Sequence, residues 1–565
     1  MSYQENHFVV VILTALATHL WLRSRAPAST SVISLWLFAI SSTAAFSSLI
    51  GHNVGIAKIL QTYFLYFVAL TSSVIIYRLS PFHQLARYPG PLLCKISKLW
   101  VAYVASRGKL HLYHKELHDK YGPIVRVGPN ELSVVDKDFI PTLLGTPGLP
   151  KGPLFDGRVI TTTKDRDASY TLISTPDLQR HAQLRKPWNK AFGSEPMNDY
   201  AEILVEKANL LKEELMKRCQ LSADQRGHVD LAGWINFFSF DFMGEMAFGG
   251  SFDLMRHGDK DGLWHGMQSA LLTAGVTQHV PWLAHIVRAI PSTGVALRRF
   301  GQFAVNQAKT RFSKEVEKRD LFYHLIHASE PDSDPTAPNP TYLPLVVSNA
   351  TLAIIAGSDT TSTVLSNIFY YLIHHPEYMK RLKAEIDEHF PLSDTVHGTS
   401  AIELGKLGSM KFLNAIINET LRLQPAVPTS LQRQPAKGSG GQAVGEYFIP
   451  EGTAVNIPPY CLHRNPRYFS PRTDDFWPER WLLDKTTAKG FVHDMSAFIP
   501  FSVGPANCAG KHLALLELRY VTTLLVRGFD FKFEEGFTAQ MWEDGIEDRF
   551  VMAKGPLPVV LTPRY

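Results

Sequence analysis

Residues 501–510 read FSVGPANCAG, a cysteine set among glycine, proline and alanine. A segment with so little side-chain bulk builds no core of its own and leaves the backbone and the sulfur open to close approach. A thiolate that binds iron needs such access, together with backbone N–H groups that hold its negative charge. Gly504 and Gly510 supply the room, and Phe501 can shield Cys508 from water. The other cysteines, Cys94, Cys219 and Cys461, are scattered with no C-x-x-C pair. That spacing indicates neither a disulfide scaffold nor a structural zinc site, and a reducing compartment fits it better. An isolated cysteine is more often a small buried hydrophobe, so the segment needs corroboration.

Three further stretches set charge among apolar residues. AGSDTT, residues 356–361, lies in the middle of an apolar helical run over 345–374. A helix of about 30 residues is about 45 Å long and crosses a whole domain. An acid and threonines at its centre are costly unless partnered. Asp359 and Thr360 are therefore functional, or they are a satisfied buried pair with Thr360 bonding back to the preceding turn. Glu419-Thr420-Leu421-Arg422 puts an acid and an arginine on one helix face, a pairing that is also common on ordinary surfaces. FWPERW, residues 476–481, brings a second arginine, Arg480.

The elements that would position these residues are mostly helices. Amphipathic patterns cover 201–218, 345–374, 378–390 and 409–423. Strand signals are few: 124–127 and 131–135 alternate around Gly128-Pro129-Asn130, and 446–449 and 453–457 flank Pro450-Glu451-Gly452. Each pair reads as a hairpin. The expected fold is mainly α with small β-sheets, an α+β arrangement. No internal repeat is present, and SEPDSDPTAPNP at 329–340 reads as a proline-rich surface loop.

The first eighty residues differ in kind. Runs 8–22, 31–50 and 59–77 contain no charged residue, and a membrane-spanning helix needs about 20 such positions. Arg23 and Arg25 follow the first run, Lys58 alone separates the second from the third, and Arg78, Arg87, Lys95 and Lys98 follow the third. Three crossings put both basic segments on the cytosolic side, whereas two crossings misplace Arg23 and Arg25. The expected organisation is a membrane region over 1–80, in three spans by this rule, a stiff hinge over 81–98 containing Pro89-Gly90-Pro91, and a catalytic body over 99–565. The net charge of +5 over 565 residues, without zinc spacing or a basic stripe, gives no sign of nucleic acid as a partner.

F-x-x-G-x-[RH]-x-C-x-G, the haem-ligand signature of the cytochrome P450 family, resembles 501–510 at every position but one: Ala506 stands where the family has a basic residue that grips a haem propionate. AGSDTT resembles the family's distal-helix motif, which implies that Ala356 and Gly357 open space for dioxygen while Asp359 and Thr360 guide protons. Glu419, Arg422 and Arg480 resemble its buried Glu–Arg–Arg network, which is structural. HAQLR resembles the W-x-x-x-R of the C-helix with His181 in place of tryptophan, so His181 and Arg185 would face propionates, as would Arg433.

The resemblance runs from Pro81 to the C-terminus and is strongest to fungal members. It implies haem b, bound through Cys508, and insertion of one oxygen atom of O2 into a hydrophobic small molecule, such as a terpenoid or alkaloid of secondary metabolism. Electrons would come from NADPH through a separate NADPH–cytochrome P450 reductase docking near Lys186, Lys190 and Lys511. Membrane lipid would hold the chain at the endoplasmic reticulum with its body in the cytosol. The pocket walls would be 152–175, Ala353, Ala356 and 426–431. A haem-thiolate isomerase or dehydratase needing no external electrons, and a non-enzymatic haem- or lipid-binding membrane protein, are the alternatives. The acid–threonine pair argues against the first.

Overall fold

A computed structural model describes residues 3–24, 40–42, 56–158, 171–250, 252–260, 262–281, 302–303, 305–307, 309–311, 319–329, 343–391, 402–483 and 490–564. Contacts group these into two units, Met1–Trp100 with Val125–Glu131, and Val101–Ile124 with Leu132–Tyr565.

In the first unit, helices Tyr3–Ser24 and Ile56–Leu79 pack side by side around Val11, Ala15, Tyr66 and Leu70. Polar pairs line the contact: His7 with the Thr62 hydroxyl at 3.0 Å, His19 with the Ser73 hydroxyl at 2.7 Å, and the Tyr66 hydroxyl donating to Thr18 at 3.0 Å. Partner positions rise together, from 7 opposite 62 to Arg23 over the ring of Tyr77, so these two helices run parallel. Ile56–Leu79 is long and apolar enough to cross a membrane; the apolar part of the other, His7–Arg23, is shorter. The expected middle span lies outside the described residues except for 40–42. The hinge is braced from within this unit. Buried Arg126 donates to the Arg78 carbonyl at 3.0 Å and to the Pro129 carbonyl, and Arg78 donates to the Ile96 carbonyl at 2.6 Å.

The second unit is built around helix Leu343–His374, 32 residues that end just before Pro376 opens the next helix. Its apolar length packs on Leu231–Phe248, where Phe238, Phe240 and Phe242 are fully buried, and on Lys511–Gly528. Polar groups stitch the three helices together. Ser358 donates to the Ser239 carbonyl at 3.4 Å, and the Ser239 hydroxyl to Glu517 at 3.4 Å.

Strands are short, as expected, but one pairing differs. Tyr447–Pro450 pairs antiparallel with Gly441–Val444, and Ala454–Ile457 pairs with Leu431–Arg433. The two strands flanking Pro450-Glu451-Gly452 therefore do not form a hairpin with each other. Another sheet joins Phe529–Phe533, Pro558–Pro563 and Gly227–Asp230. Beyond Ser329, which ends a helix, the proline-rich loop lies outside the described residues.

Candidate functional site

The loop before helix Lys511–Gly528 folds back on itself: the Cys508 N–H donates to the Phe501 carbonyl at 2.9 Å and the Asn507 N–H to the Gly504 carbonyl at 3.1 Å. Gly504 is at φ +71°, and a Cβ there would collide with the Leu144 carbonyl, so only glycine fits. Gly510 differs, because its φ is −85° and an added Cβ would only touch Phe192 at 3.7 Å. What Gly510 gives the site is its backbone N–H, which bonds the Cys508 sulfur. Cys508 is exposed, whereas Cys94, Cys219 and Cys461 are buried. Protein packed around the loop displaces water and pushes the Cys508 thiol up; the Gly510 N–H and the charges of Arg185 and Lys511 pull it down.

Beneath this loop lies a buried network. Glu419, Arg422 and Arg480 are all fully buried. Arg422 grips Glu419 with two bonds of 2.8 and 2.9 Å and donates to the carbonyls of His463, Thr473 and Asp475. Glu419 also accepts the Trp477 N–H, the Trp481 indole N–H and the Arg480 guanidinium, the last at 3.5 Å. His463, which no motif marked, carries the network to the loop: its Nε2 accepts the Ile499 N–H at 3.0 Å. Burial, followed by the Arg422 and Arg464 charges, lowers its pKa to about 3 and keeps the ring neutral, as that acceptor role requires.

On the long helix, Asp359 and Thr360 lie on different faces. The Thr360 hydroxyl is exposed and donates back to the Ala356 carbonyl at 2.6 Å, the local bond that the bland reading of this pair anticipates. Asp359 is buried and accepts from Gln268 at 3.2 Å. Burial raises its pKa, opposed by the Lys554 charge, the Gln268 bond and the Arg158 charge. Lys554 was also silent in the sequence. It is tied to the same helix through Ser362 at 3.1 Å and to Asn236 at 2.8 Å. Gly357 departs from its expected part in opening space: a Cβ there would collide with the Met243 sulfur, so it serves close approach of helix Leu231–Phe248, and the open position is Ala356.

A second group of charges gathers around helix Leu178–Ala191. Arg185 donates to the Asn507 carbonyl at 2.5 Å and to its side chain at 2.8 Å, beside Cys508. His181 and Arg433 are buried, and a lysine not singled out in the sequence, Lys151, joins them, bridging to Arg433 through its backbone. Burial, then the charges of Lys151, Arg185 and Arg433, lowers the His181 pKa to about 4; burial lowers Arg433 to about 10. Among the described residues no ion pair joins any of these four to an acid. Of the expected pocket walls, Leu154, Phe155 and Ile173 pack with Phe550 and Val551 from the C-terminal segment, and Arg158 stacks on Phe550 at 3.7 Å.

Residues 87–559 match the family model described as Cytochrome P450. The chain belongs to the cytochrome P450 family. It is similar to the cytochrome P450 monooxygenase FCK2 of Fusarium pseudograminearum (strain CS3096), 32% identical over 500 residues, covering 88% of this chain and 85% of the relative. Tryprostatin B 6-hydroxylase of Aspergillus fumigatus is 32% identical over 511 residues, covering 88% and 84%. The cytochrome P450 monooxygenase notG' of Aspergillus versicolor is 32% identical over 505 residues, covering 88% and 86%. Membership makes the protein an oxidoreductase of the monooxygenase type and implies a haem iron. The residues present fit that group: an exposed thiol with a backbone N–H on its sulfur, beside buried cations that have no carboxylate paired with them among the described residues and suit a dicarboxylate.

Proposed function

We propose that this P450 is a haem-thiolate monooxygenase that oxidises a hydrophobic small molecule of fungal secondary metabolism, with electrons from NADPH delivered by a separate reductase. The observation that carries the reading is Cys508, an exposed cysteine bonded at sulfur by the Gly510 N–H and set beside Arg185. When bound, haem activates O2 and transfers one oxygen atom to the substrate, the other leaving as water. Cys508 Sγ would hold the iron. Arg185, His181 and Arg433 would hold the carboxylates, with Phe501 and Gly504 shaping the loop. Glu419, Arg422 and Arg480 fix what lies beneath it.

On helix Leu343–His374, Ala356 leaves the surface open, and Thr360 holds a proton at Oγ1 beside it. Asp359 passes protons from the buried face, where burial raises its pKa above the ordinary carboxylate range and favours its protonated form. Phe155, Phe550 and Val551 keep water from that side. The tryprostatin B 6-hydroxylase relative supports hydroxylation as the outcome. Oxygen uptake that requires NADPH, added reductase and substrate tests this; uptake unaffected by leaving out the reductase contradicts it.

We also read 1–80 as a three-span anchor in the endoplasmic reticulum, 81–98 as the hinge and 99–565 as the cytosolic catalytic body. The parallel course of Tyr3–Ser24 and Ile56–Leu79 supports three spans, since two consecutive spans would run antiparallel. An N-terminal tag should then be protected from protease in sealed microsomes while the body is digested.

A further inference from the structure

We propose that Lys151 anchors a haem carboxylate, taking over from the basic residue that Ala506 replaces. The inference rests on the haem reading above and adds a residue that the signature motifs do not contain. Lys151 is 7% exposed, and its ammonium has one hydrogen bond among the described residues, to the Leu172 carbonyl at 2.5 Å. Lysine is almost never buried without a partner, and an uncompensated buried charge is strongly destabilising. Two N–H donors remain for an incoming group.

Its place suits the task. The turn Gly504–Ala506 sits against Leu144, whose carbonyl a Cβ on Gly504 would strike. The chain then runs from that contact through Leu149, bonded back to the Leu143 carbonyl at 3.0 Å, to Lys151. Residue 506 and Lys151 thus leave one packed corner of the fold. Lys151 continues into a bridge with Arg433, already read as a carboxylate anchor. His181 lies within electrostatic reach of both, and Arg185 of Lys151. The cluster has the charge to receive a dianion and no acid that would compete with it among the described residues.

Burial and the charges of Arg433 and Arg185 push the Lys151 pKa well below the ordinary lysine range. Its ammonium form is therefore costly until an anion arrives.

The test measures transfer of haem from purified full-length protein to excess apomyoglobin at pH 7, for wild type, Lys151→Met, Ala506→Arg and the double variant. Losing a hydrogen bond to a charged group should speed haem loss by about 10- to 100-fold in Lys151→Met. Restoring the family's basic residue should return the double variant to within a few-fold of wild type. Loss from Lys151→Met at the wild-type rate overturns the proposal, and so does fast loss that Ala506→Arg leaves uncorrected, which would mark Lys151 as packing only. If Lys151→Met is recovered without haem, haem content of the double variant decides in the same sense. A wild-type protein that binds no haem at all overturns the haem reading itself, an outcome distinct from the others.

Discussion

Two charge clusters, each largely buried, flank the Cys508 loop, and they are built on opposite plans. Glu419, Arg422 and Arg480 contain their own carboxylate, and backbone carbonyls take up further arginine donors. Lys151, His181, Arg185 and Arg433 have no acid paired with them among the described residues. The first cluster carries its counter-charge within the fold. The second is complete only when something negative enters. A buried ion network with internal compensation holds a loop in place; a buried cluster of one sign is a binding site waiting for its counter-charge.

The largest effect expected from this contrast is at Arg422. Removing it leaves the Glu419 carboxylate buried and unpaired, at a cost of about 3–5 kcal/mol. Arg422→Ala should yield little folded protein with or without added haem, measured by thermal unfolding. Arg433→Met should behave oppositely, leaving a folded protein that loses haem faster. If both variants fold equally well without haem, the distinction between the clusters breaks.

pH separates them further. Both His181 and His463 have pKa values lowered by burial, to about 4 and about 3. The folded state then binds fewer protons than the unfolded one, so stability is full above about pH 6.5 and falls as pH drops from there toward those values. Haem should relieve the His181 contribution, because incoming carboxylates favour its charged form, and leave that of His463 untouched. Stability against pH for His181→Gln and His463→Gln, each with and without haem, shows whether this holds.

How far the sequence disclosed these clusters follows from how local each signal is. Glu419 and Arg422 share a helix turn, and Cys508 sits in a ten-residue pattern, so both were readable. Lys151, His463 and Lys554 were not. Each acts on residues far away in the chain, and a single lysine or histidine in a loop carries no spacing to betray its partner. The strands at 447–450 and 454–457 show the same limit: alternation indicated strands but not their neighbours, which lie in different sheets. Gly357 was placed on the right helix, but only the packed structure shows that Met243 occupies the space its missing side chain leaves.

Smaller effects belong to the distal side and the surface. Thr360→Ala should keep NADPH consumption while product per NADPH falls and hydrogen peroxide rises; unchanged coupling would reduce Thr360 to its back-bond with Ala356. In Lys554→Met, burial acts on Asp359 less opposed, so the protonation midpoint of Asp359, followed by the carboxyl stretch that Asp359→Asn removes, should move to higher pH. Charge removal at Lys186, Lys190 and Lys511 should raise the apparent Michaelis constant for reductase at low ionic strength only, since salt screens exposed charge.

The central claim is that Cys508 is the thiolate on the haem iron, and the CO-difference spectrum of the reduced protein tests it most directly. Wild type, and variants with Cys94, Cys219 or Cys461 replaced by alanine, should each show the red-shifted Soret band of thiolate ligation, and Cys508→Ala should lack it. A normal band in Cys508→Ala would contradict the account.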